Sequence, residues 1–204
     1  VVDNLGLIVI DEQHRFGVAD RMKLTSKGIA PHTLMMSATP IPRTLSAALQ
    51  GDLQSSILDE KPAGRKPIVT RVAPTTRVDE VMQAVAKATE RGERAFWVCP
   101  AVDSEEAEDA AAERRRDILA ARVRKPVALV HGKLAHADKD AALEAFRKGD
   151  ASVLVATTVV EVGVDVPEAT IMVIEHAEKF GLAQLHQLRG RVGRGDKDSS
   201  CLLL

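Results

Sequence analysis

The sequence predicts an α/β fold in which helices wrap a parallel sheet, and three observations support this prediction. Short apolar runs alternate with longer amphipathic ones, which is the pattern of repeated strand–helix–strand units. Polar residues directly follow several of the apolar runs, and in doubly wound folds the ligand is expected beyond the carboxyl ends of the strands. With 204 residues and 45% hydrophobic content, the chain can bury the core of one domain or of two small ones.

The first part of the chain is predicted to contain two buried strands and one short helix. The strands are Leu7–Ile10 and Leu34–Met36. The helix spans Pro42 to Gln50, because proline suits the first turn of a helix and Gly51 suits its end.

A linker is predicted after these elements. The segment Asp59–Pro67 reads Asp-Glu-Lys-Pro-Ala-Gly-Arg-Lys-Pro, which cannot continue a helix or a central strand. We therefore expect a domain over residues 1–58, a linker over 59–66 and a second domain over 67–204.

The second domain is predicted to continue the alternation of strands and helices. Its predicted strands are Ile68–Val72, Ala95–Cys99, Val127–Val130, Ser152–Ala156, Ile171–Ile174 and Ser200–Leu204. Its predicted helices are Val78–Arg91, Ser104–Arg124, Asp138–Lys148 and Gly181–Leu188. Ser104–Arg124 is acidic at its start and basic at its end, which complements the helix dipole. We interpret this charge run as a solvated face without a functional role.

Composition excludes several classes of protein. The net charge of −1 and the aromatic content of 2% argue against a small DNA-coating module and against a base-stacking platform. Two cysteines cannot build a disulfide framework, and nothing resembles a signal peptide or a spanning segment, so we expect a cytoplasmic protein. No His or Cys cluster has metal-ligand spacing, so no zinc is expected. The chain begins with Val1 and ends as a strand cut short, so we expect a piece of a longer protein.

Two motifs follow the strands of the first part. Asp11–His14 directly follows the first strand, and Ser37–Thr39 follows the second. Since Mg²⁺ prefers one or two carboxylates plus water and phosphate oxygens, Asp11 suits a metal and Glu12 suits an attacking water. Each motif alone also fits an ordinary loop, either an acidic surface loop or a turn with Thr39 as a helix cap.

Residues suited to phosphate contacts follow strands of the second part. His131 and Lys133 follow one strand, and Thr157 and Thr158 follow another. The threonine hydroxyls can donate to phosphates of a polynucleotide backbone, although helix-capping threonines explain the same segment. Further along that loop, Gly163 permits a tight turn and Asp165 can accept a hydrogen bond from a ribose hydroxyl.

The end of the chain carries the most informative pattern. Gln184–Gly195 holds three arginines interleaved with glycines. Arginine resists burial without a partner and glycine adds no packing volume, so the pattern predicts a backbone that approaches an anion closely. Cations near one end of the chain and carboxylates near the other are the two halves of a site that cleaves a nucleoside triphosphate on a metal ion.

Taken together, these motifs resemble those of superfamily 2 helicases and translocases, in the DExH form. The segments similar to motifs II, III, V and VI are Asp11–His14, Ser37–Thr39, Thr157–Pro167 and Gln187–Arg194. Asp11–Val18, Ser37–Thr44 and Glu175–Gly195 resemble the bacterial fork-remodelling branch in particular. Motif II of the transcription–repair coupling translocases is similar to Asp-Glu-Glu-Gln, whereas this chain has His14 after Gln13. His14 therefore favours the fork-remodelling branch.

The resemblance implies two RecA-like lobes, the first one truncated, and an ATP-dependent motor on double-stranded DNA that remodels forks and branched recombination intermediates. The implied cofactors are ATP and Mg²⁺, with Asp11 holding the Mg²⁺ through water and Glu12 activating the attacking water. Arg191 and Arg194 correspond to arginine fingers, and Gln187 couples their site to DNA. Gly163 and Asp165 fall at the nucleotide edge of the second lobe. The implied DNA-binding or coupling residues are His14, Ser37, Thr39, His131, Lys133, Thr157 and Thr158.

One part of the family's pattern is missing from the chain. No Gly-x-x-x-x-Gly-Lys-Ser/Thr run is present, and in the family this phosphate-binding loop precedes motif II. We therefore expect the chain alone to hydrolyse little or no ATP, with the loop and the family's fork-splitting wedge lying N-terminal to it. Three alternatives stay open: part of a transcription–repair coupling translocase, a lobe that clamps duplex DNA without hydrolysis, and an α/β domain with coincidental motifs.

Overall fold

A computed structural model of the chain describes residues 5–11, 31–37, 54, 56–60, 65–100, 105–157 and 166–204. The chain divides into two compact units, Val1–Asp59 and Glu60–Leu204. The predicted helix Pro42–Gln50 and part of the predicted linker, residues 61–64, lie outside the described residues.

In the described part of the first unit, β1 (Leu7–Ile10) and β2 (His32–Met35) form a parallel pair. β2 begins two residues earlier than the apolar pattern predicts, because His32 and Thr33 pair with β1 although they are polar. Ile8 and Ile10 are buried, whereas Leu7 and Val9 are more than half exposed. Although all four residues are apolar, only one face of the strand is buried, because successive side chains of a strand point to opposite faces.

The described strands of the second unit form one parallel sheet of six strands in the order β3-β8-β7-β4-β6-β5. Their bounds are Ile68–Val72 (β3), Arg94–Val98 (β4), Val127–Val130 (β5), Val153–Ala156 (β6), Ala169–Ile174 (β7) and Ser199–Leu203 (β8). Central strands β4, β6 and β7 are buried almost throughout, which is why they read as continuous apolar runs.

Helices cover both faces of this sheet. Their bounds are Val78–Glu90 (α1), Glu105–Ala120 (α2), His136–Lys148 (α3) and Leu182–Arg189 (α4). α1 and α2 pack with Trp97 and its neighbours on one face, and α3 and α4 pack with Phe96 on the other. Successive side chains of β4 thus pack into the cores on opposite faces of the sheet, because side chains alternate between the two faces of a strand. The predicted α/β fold with a helix-wrapped parallel sheet is confirmed.

The interpretation of Ser104–Arg124 as a solvated face is wrong for one side of α2. Ala112 and Leu119 are fully buried against the sheet, and Asp109 is only 7% exposed. The helix also stops at Ala120, four residues before the predicted end. Charged residues dominate the composition of this helix, so the few small and apolar positions that face the core were hidden in the pattern.

Candidate functional site

Polar side chains follow both described strands of the first unit. Asp11 comes directly after β1, and Ser37 lies two residues after β2. The strands are parallel neighbours, and the amide of Met36 donates to the carbonyl of Ile10 at 2.8 Å. Asp11 and Ser37 therefore lie at the same edge of this strand pair, and Asp11 is exposed there.

At the carboxyl edge of the second unit's sheet, the structure brings His131 and Thr157 together. They follow the neighbouring strands β5 and β6, and the amide of Thr157 donates to the carbonyl of Val130 at 3.2 Å. His131 is 5% exposed and Thr157 is 1% exposed, whereas Lys133 is exposed. Among the described residues, the Thr157 hydroxyl has no hydrogen-bond partner.

His131 is held by carboxylates of α2, which the sequence analysis missed. Its Nδ1 lies 2.9 Å from Oδ1 of Asp109, and its Nε2 lies 3.7 Å from Oε1 of Glu113. The Nζ of Lys133 lies 3.9 Å from the other oxygen of Asp109. Burial of an unpaired charge is costly, and the ammonium of Lys133 supplies a cation 3.9 Å from the Asp109 carboxylate. Asp109 and Ala112 are three residues apart and therefore lie on the same face of α2. This spacing was the signal that the sequence offered.

A second cluster at the same edge was also missed. Glu175 directly follows β7 and accepts a hydrogen bond from the indole Nε1 of Trp97. Arg115 of α2 pairs with both carboxylate oxygens of Glu175, at 2.5 and 3.0 Å, and its guanidinium lies 5.5 Å from the Trp97 ring centroid. The side chains of Arg115 and Glu175 are 18% and 13% exposed. This largely buried bidentate ion pair, together with the hydrogen bond from Trp97, connects α2 to the carboxyl ends of β4 and β7.

The segment Gly190–Gly195, which we call the arginine loop, follows α4. The amide of Arg191 donates to the carbonyl of Leu188, and the buried side chain of Val192 joins the core. Arg194 is exposed, and its Nε donates to the carbonyl of Gly190 at 3.2 Å. The core therefore anchors the loop through Val192, while Arg194 lies at the surface.

Two glycines let the arginine loop pack closely against the start of the sheet. Gly193 has φ +69, and a Cβ there would lie 2.8 Å from Ile68 at the beginning of β3. A Cβ on Gly195 would lie 2.9 Å from the carbonyl oxygen of Pro167, just before β7. These glycines predict a backbone that approaches an anion closely. In the structure, the close approaches of Gly193 and Gly195 are to Ile68 and Pro167.

The loop therefore lies at the amino ends of the strands, opposite His131 and Thr157. A five-residue strand such as β8 spans ~16 Å at ~3.3 Å per residue, and this length separates the two ends of the sheet. The sequence predicts a ligand beyond the carboxyl ends of the strands, but Arg191 and Arg194 lie at the amino ends. The crossover helix α4 explains this, since it begins after β7 and returns the chain to the amino end of β8.

The structure thus places the predicted site residues in three groups. Gln187, Arg191 and Arg194 lie on α4 and the arginine loop; His131, Lys133 and Thr157 lie at the carboxyl edge of the second unit; Asp11 and Ser37 lie in the first unit. The predicted site residues outside the described part of the chain are Glu12, His14, Thr39, Thr158, Gly163 and Asp165.

Burial strongly affects both thiols of the second unit. Desolvation, with a further contribution from Glu175, raises the pKa of Cys99 to about 12. Desolvation also raises the pKa of Cys201 to about 11. Both thiols are protonated near neutral pH, so neither suits a role as a nucleophile or a metal ligand.

Among the described residues, no three His, Cys, Asp or Glu side chains are grouped so that they could hold a metal ion. No helix in the same part of the chain has the length and apolar character needed to cross a membrane.

A family model describes most of the second unit. The model for the helicase conserved C-terminal domain matches residues 76–196, which is more than half of the chain. The chain belongs to the helicase C-terminal domain family. The match begins just before α1 and ends just after the arginine loop, so it includes all three members of the Gln187, Arg191 and Arg194 group.

Similar curated proteins extend the likeness over nearly the whole chain. The ATP-dependent DNA helicase RecG of Acidithiobacillus ferridurans is 52% identical over 202 residues, which cover 98% of this chain and 30% of that protein. RecG of Synechocystis is 51% identical and RecG of Escherichia coli K12 is 47% identical, over 98% and 99% of this chain. The resemblance to the fork-remodelling branch, RecG, is confirmed. The chain spans less than a third of the length of these relatives.

Solved structures support the same family and the RecA-like fold. A structure of RecG bound to a three-way DNA junction superposes with a TM-score of 0.77 at 45% identity, over 100% of this chain and 26% of that one. Saccharomyces cerevisiae Dbp5 bound to RNA and ADP BeF3 gives a TM-score of 0.72 at 16% identity, over 100% of this chain and 54% of that one. At that identity the second likeness shows the fold alone.

Proposed function

We propose that the chain is part of an ATP-dependent translocase on double-stranded DNA that remodels forked and branched DNA. Residues 1–58 form the C-terminal part of the first motor lobe, residues 59–66 form the linker, and residues 67–204 form the second lobe. The similarity to RecG proteins over 98% of the chain supports this assignment. The relative described as bound to a three-way DNA junction supports branched DNA as the substrate.

The observation that carries the proposal is the construction of the arginine loop. Val192 is buried in the core, and Gly193 adopts φ +69 against Ile68, so the loop backbone is firmly held. An exposed Arg194 on such a backbone is preorganised to stabilise charge on a transferred phosphoryl group, with Arg191 beside it. Gln187, one turn earlier on α4, couples this site to the DNA side.

Asp11 fits the role of an Mg²⁺ ligand. It is an exposed carboxylate at the carboxyl end of a parallel strand, and Mg²⁺ usually keeps several waters and takes only one or two carboxylates from a protein. The metal would neutralise charge on the β- and γ-phosphates. Glu12 orients the attacking water, and Gly163 and Asp165 contact the nucleotide from the second lobe.

The carboxyl edge of the second unit is proposed to contact the DNA backbone. Lys133 is exposed there and is the proposed phosphate contact. His131 and Thr157 are both too buried in this structure to reach a phosphate. We therefore assign His131 the role of holding the edge through Asp109, and we assign Thr157 a coupling role. Contacts with phosphates, rather than with bases, agree with translocation that does not depend on sequence. We propose four further coupling residues: His14, Ser37 and Thr39 of the first unit, and Thr158 of the second.

The proposal is tested with the whole protein on a duplex that carries a third strand. We expect ATP-dependent displacement of the third strand and conversion of a model fork, and the Arg191→Ala variant should lose both while it still binds the fork. The 204-residue chain alone should release little or no phosphate from ATP with or without DNA. Displacement without ATP, or robust DNA-stimulated turnover by the isolated chain, would contradict the proposal.

A further inference from the structure

Arg65, near the start of the second unit, forms hydrogen bonds with the arginine loop, which lies near the end of the sequence. Its Nε donates to the carbonyl of Gly193 at 3.0 Å, and its Nη2 donates to the carbonyl of Gly190 at 3.3 Å. The two acceptors lie 128 and 125 residues further along the chain. One planar guanidinium thus spans the loop, which fixes the spacing of its two backbone carbonyls.

One of these acceptors is shared with a proposed arginine finger. The carbonyl of Gly190 also accepts a hydrogen bond from Nε of Arg194 at 3.2 Å. Two guanidinium groups therefore converge on one oxygen atom. Since like charges repel, the position of Arg65 restricts the directions that the Arg194 side chain can take.

Arg65 also lies where the chain enters the second unit. The unit begins at Glu60, and Arg65 stands three residues before the start of β3. The next residue, Lys66, forms an exposed ion pair with Asp198 at 3.0 Å. The entry segment and the arginine loop are therefore joined side by side at the amino edge of the sheet.

We propose that Arg65 is a positioning residue for ATP hydrolysis, because its guanidinium sets the backbone of the arginine loop. This inference rests on the proposed function, because the loop must act on a phosphoryl group for its position to matter. Loss of this guanidinium would release two carbonyls of the loop backbone that carries Arg194. Arg65 itself does not contact the nucleotide in this scheme.

The test compares Arg65→Ala, Arg65→Lys and Lys66→Ala in the whole protein. We expect Arg65→Ala to lower kcat for DNA-stimulated ATP hydrolysis ~10–100-fold, as a misplaced catalytic group does, with KM for ATP changed less than about threefold. Lysine keeps the charge but offers a single nitrogen in place of the planar fork that donates from two, so Arg65→Lys should give an intermediate kcat. Lys66→Ala removes an exposed ion pair on the same segment and should stay within about twofold of the wild type.

A second readout keeps this inference separate from the proposed function. Hydrogen exchange of the peptide spanning residues 190–195 should be faster in Arg65→Ala than in Lys66→Ala, with exchange in β7 unchanged. Unchanged loop exchange, or an unchanged kcat in a protein where Arg194→Ala abolishes turnover, would overturn the role of Arg65. An equal rise of exchange throughout the second unit would also overturn it, because Arg65 would then serve stability alone. A wild-type protein without turnover would refute the proposed function, while loop exchange would still decide whether Arg65 sets the loop.

Discussion

One group of contacting side chains could not be predicted from any local sequence pattern. It consists of Glu175, Arg115 and Trp97. Arg115 and Glu175 are separated by 60 residues in the sequence, and Trp97 and Glu175 by 78. The same holds for Arg65, whose partners lie more than 120 residues away. A sequence pattern can identify residue types suited to a phosphate, as for Arg191 and Arg194. It cannot pair two side chains whose contact depends on the tertiary fold.

Cys99 allows a prediction about the pH dependence of stability. Its pKa is raised from 9.0 to about 12 in the folded protein, so above pH 9 the unfolded chain ionises while the folded chain stays protonated. The free energy of unfolding should therefore fall as the pH rises from 9 towards 12, by up to about 1.4 kcal/mol per pH unit from this thiol. Urea unfolding at pH 8 and pH 10 measures this change.

The matched control for this prediction is Cys99→Ala, which removes the thiol and leaves the other alkaline groups in place. Its unfolding free energy should fall less between pH 8 and pH 10 than that of the wild type. Equal losses in the two proteins would show that the thiol ionises in the folded state as readily as in the unfolded one.

Element bounds followed the sequence pattern wherever apolar periodicity was strong. The helix predicted over Val78–Arg91 is found as α1, Val78–Glu90, and it packs on the sheet through buried residues such as Val81 and Val85. β4 runs one residue earlier than predicted, because Arg94 pairs with β7 although it is charged. The prediction of a solvated face is wrong for one side of α2, because its buried positions are few and mostly small. Apolar periodicity carries little signal when charged residues fill the other faces of a helix.

Helix termination allows a second prediction, which uses two glycines with almost the same backbone. Gly92 has φ +84 and Gly149 has φ +86, so alanine at either position should cost ~1–2 kcal/mol for the left-handed conformation. A Cβ at Gly92 would meet nothing within 4 Å, whereas at Gly149 it would lie 2.9 Å from Nη2 of Arg94. That guanidinium is held by the carbonyls of Phe146 and Arg147.

Gly149→Ala should therefore destabilise the protein by about 1 kcal/mol more than Gly92→Ala, since hydrogen bonds of Arg94 must lengthen or break. Urea unfolding followed by the fluorescence of Trp97, the one tryptophan of the chain, gives both values. Equal costs would mean that Arg94 moves aside freely and that its bonds to the end of α3 contribute nothing.

At the scale of the whole molecule, the α/β class followed from the alternation of apolar runs, but the assignment of groups to sheet edges did not. The rule that ligands lie beyond the carboxyl ends of strands suits Lys133, which is exposed just after β5. The arginine loop lies at the opposite edge, because α4 carries the chain back before β8 begins. Topology, rather than any residue pattern, separates the proposed phosphate-stabilising group from the proposed DNA-binding group.

The most direct test of the arginine loop is the rate of the chemical step. We expect Arg194→Ala in the whole protein, bound to forked DNA, to slow single-turnover ATP hydrolysis ~10³-fold or more. The affinity for ATP should change less than about tenfold, because the guanidinium acts mainly on charge that develops in the transition state. Arg71→Ala, which removes an exposed arginine from β3, is the control and should keep the wild-type rate. A wild-type hydrolysis rate in Arg194→Ala, or a loss explained entirely by weaker ATP binding, would contradict the role of this loop.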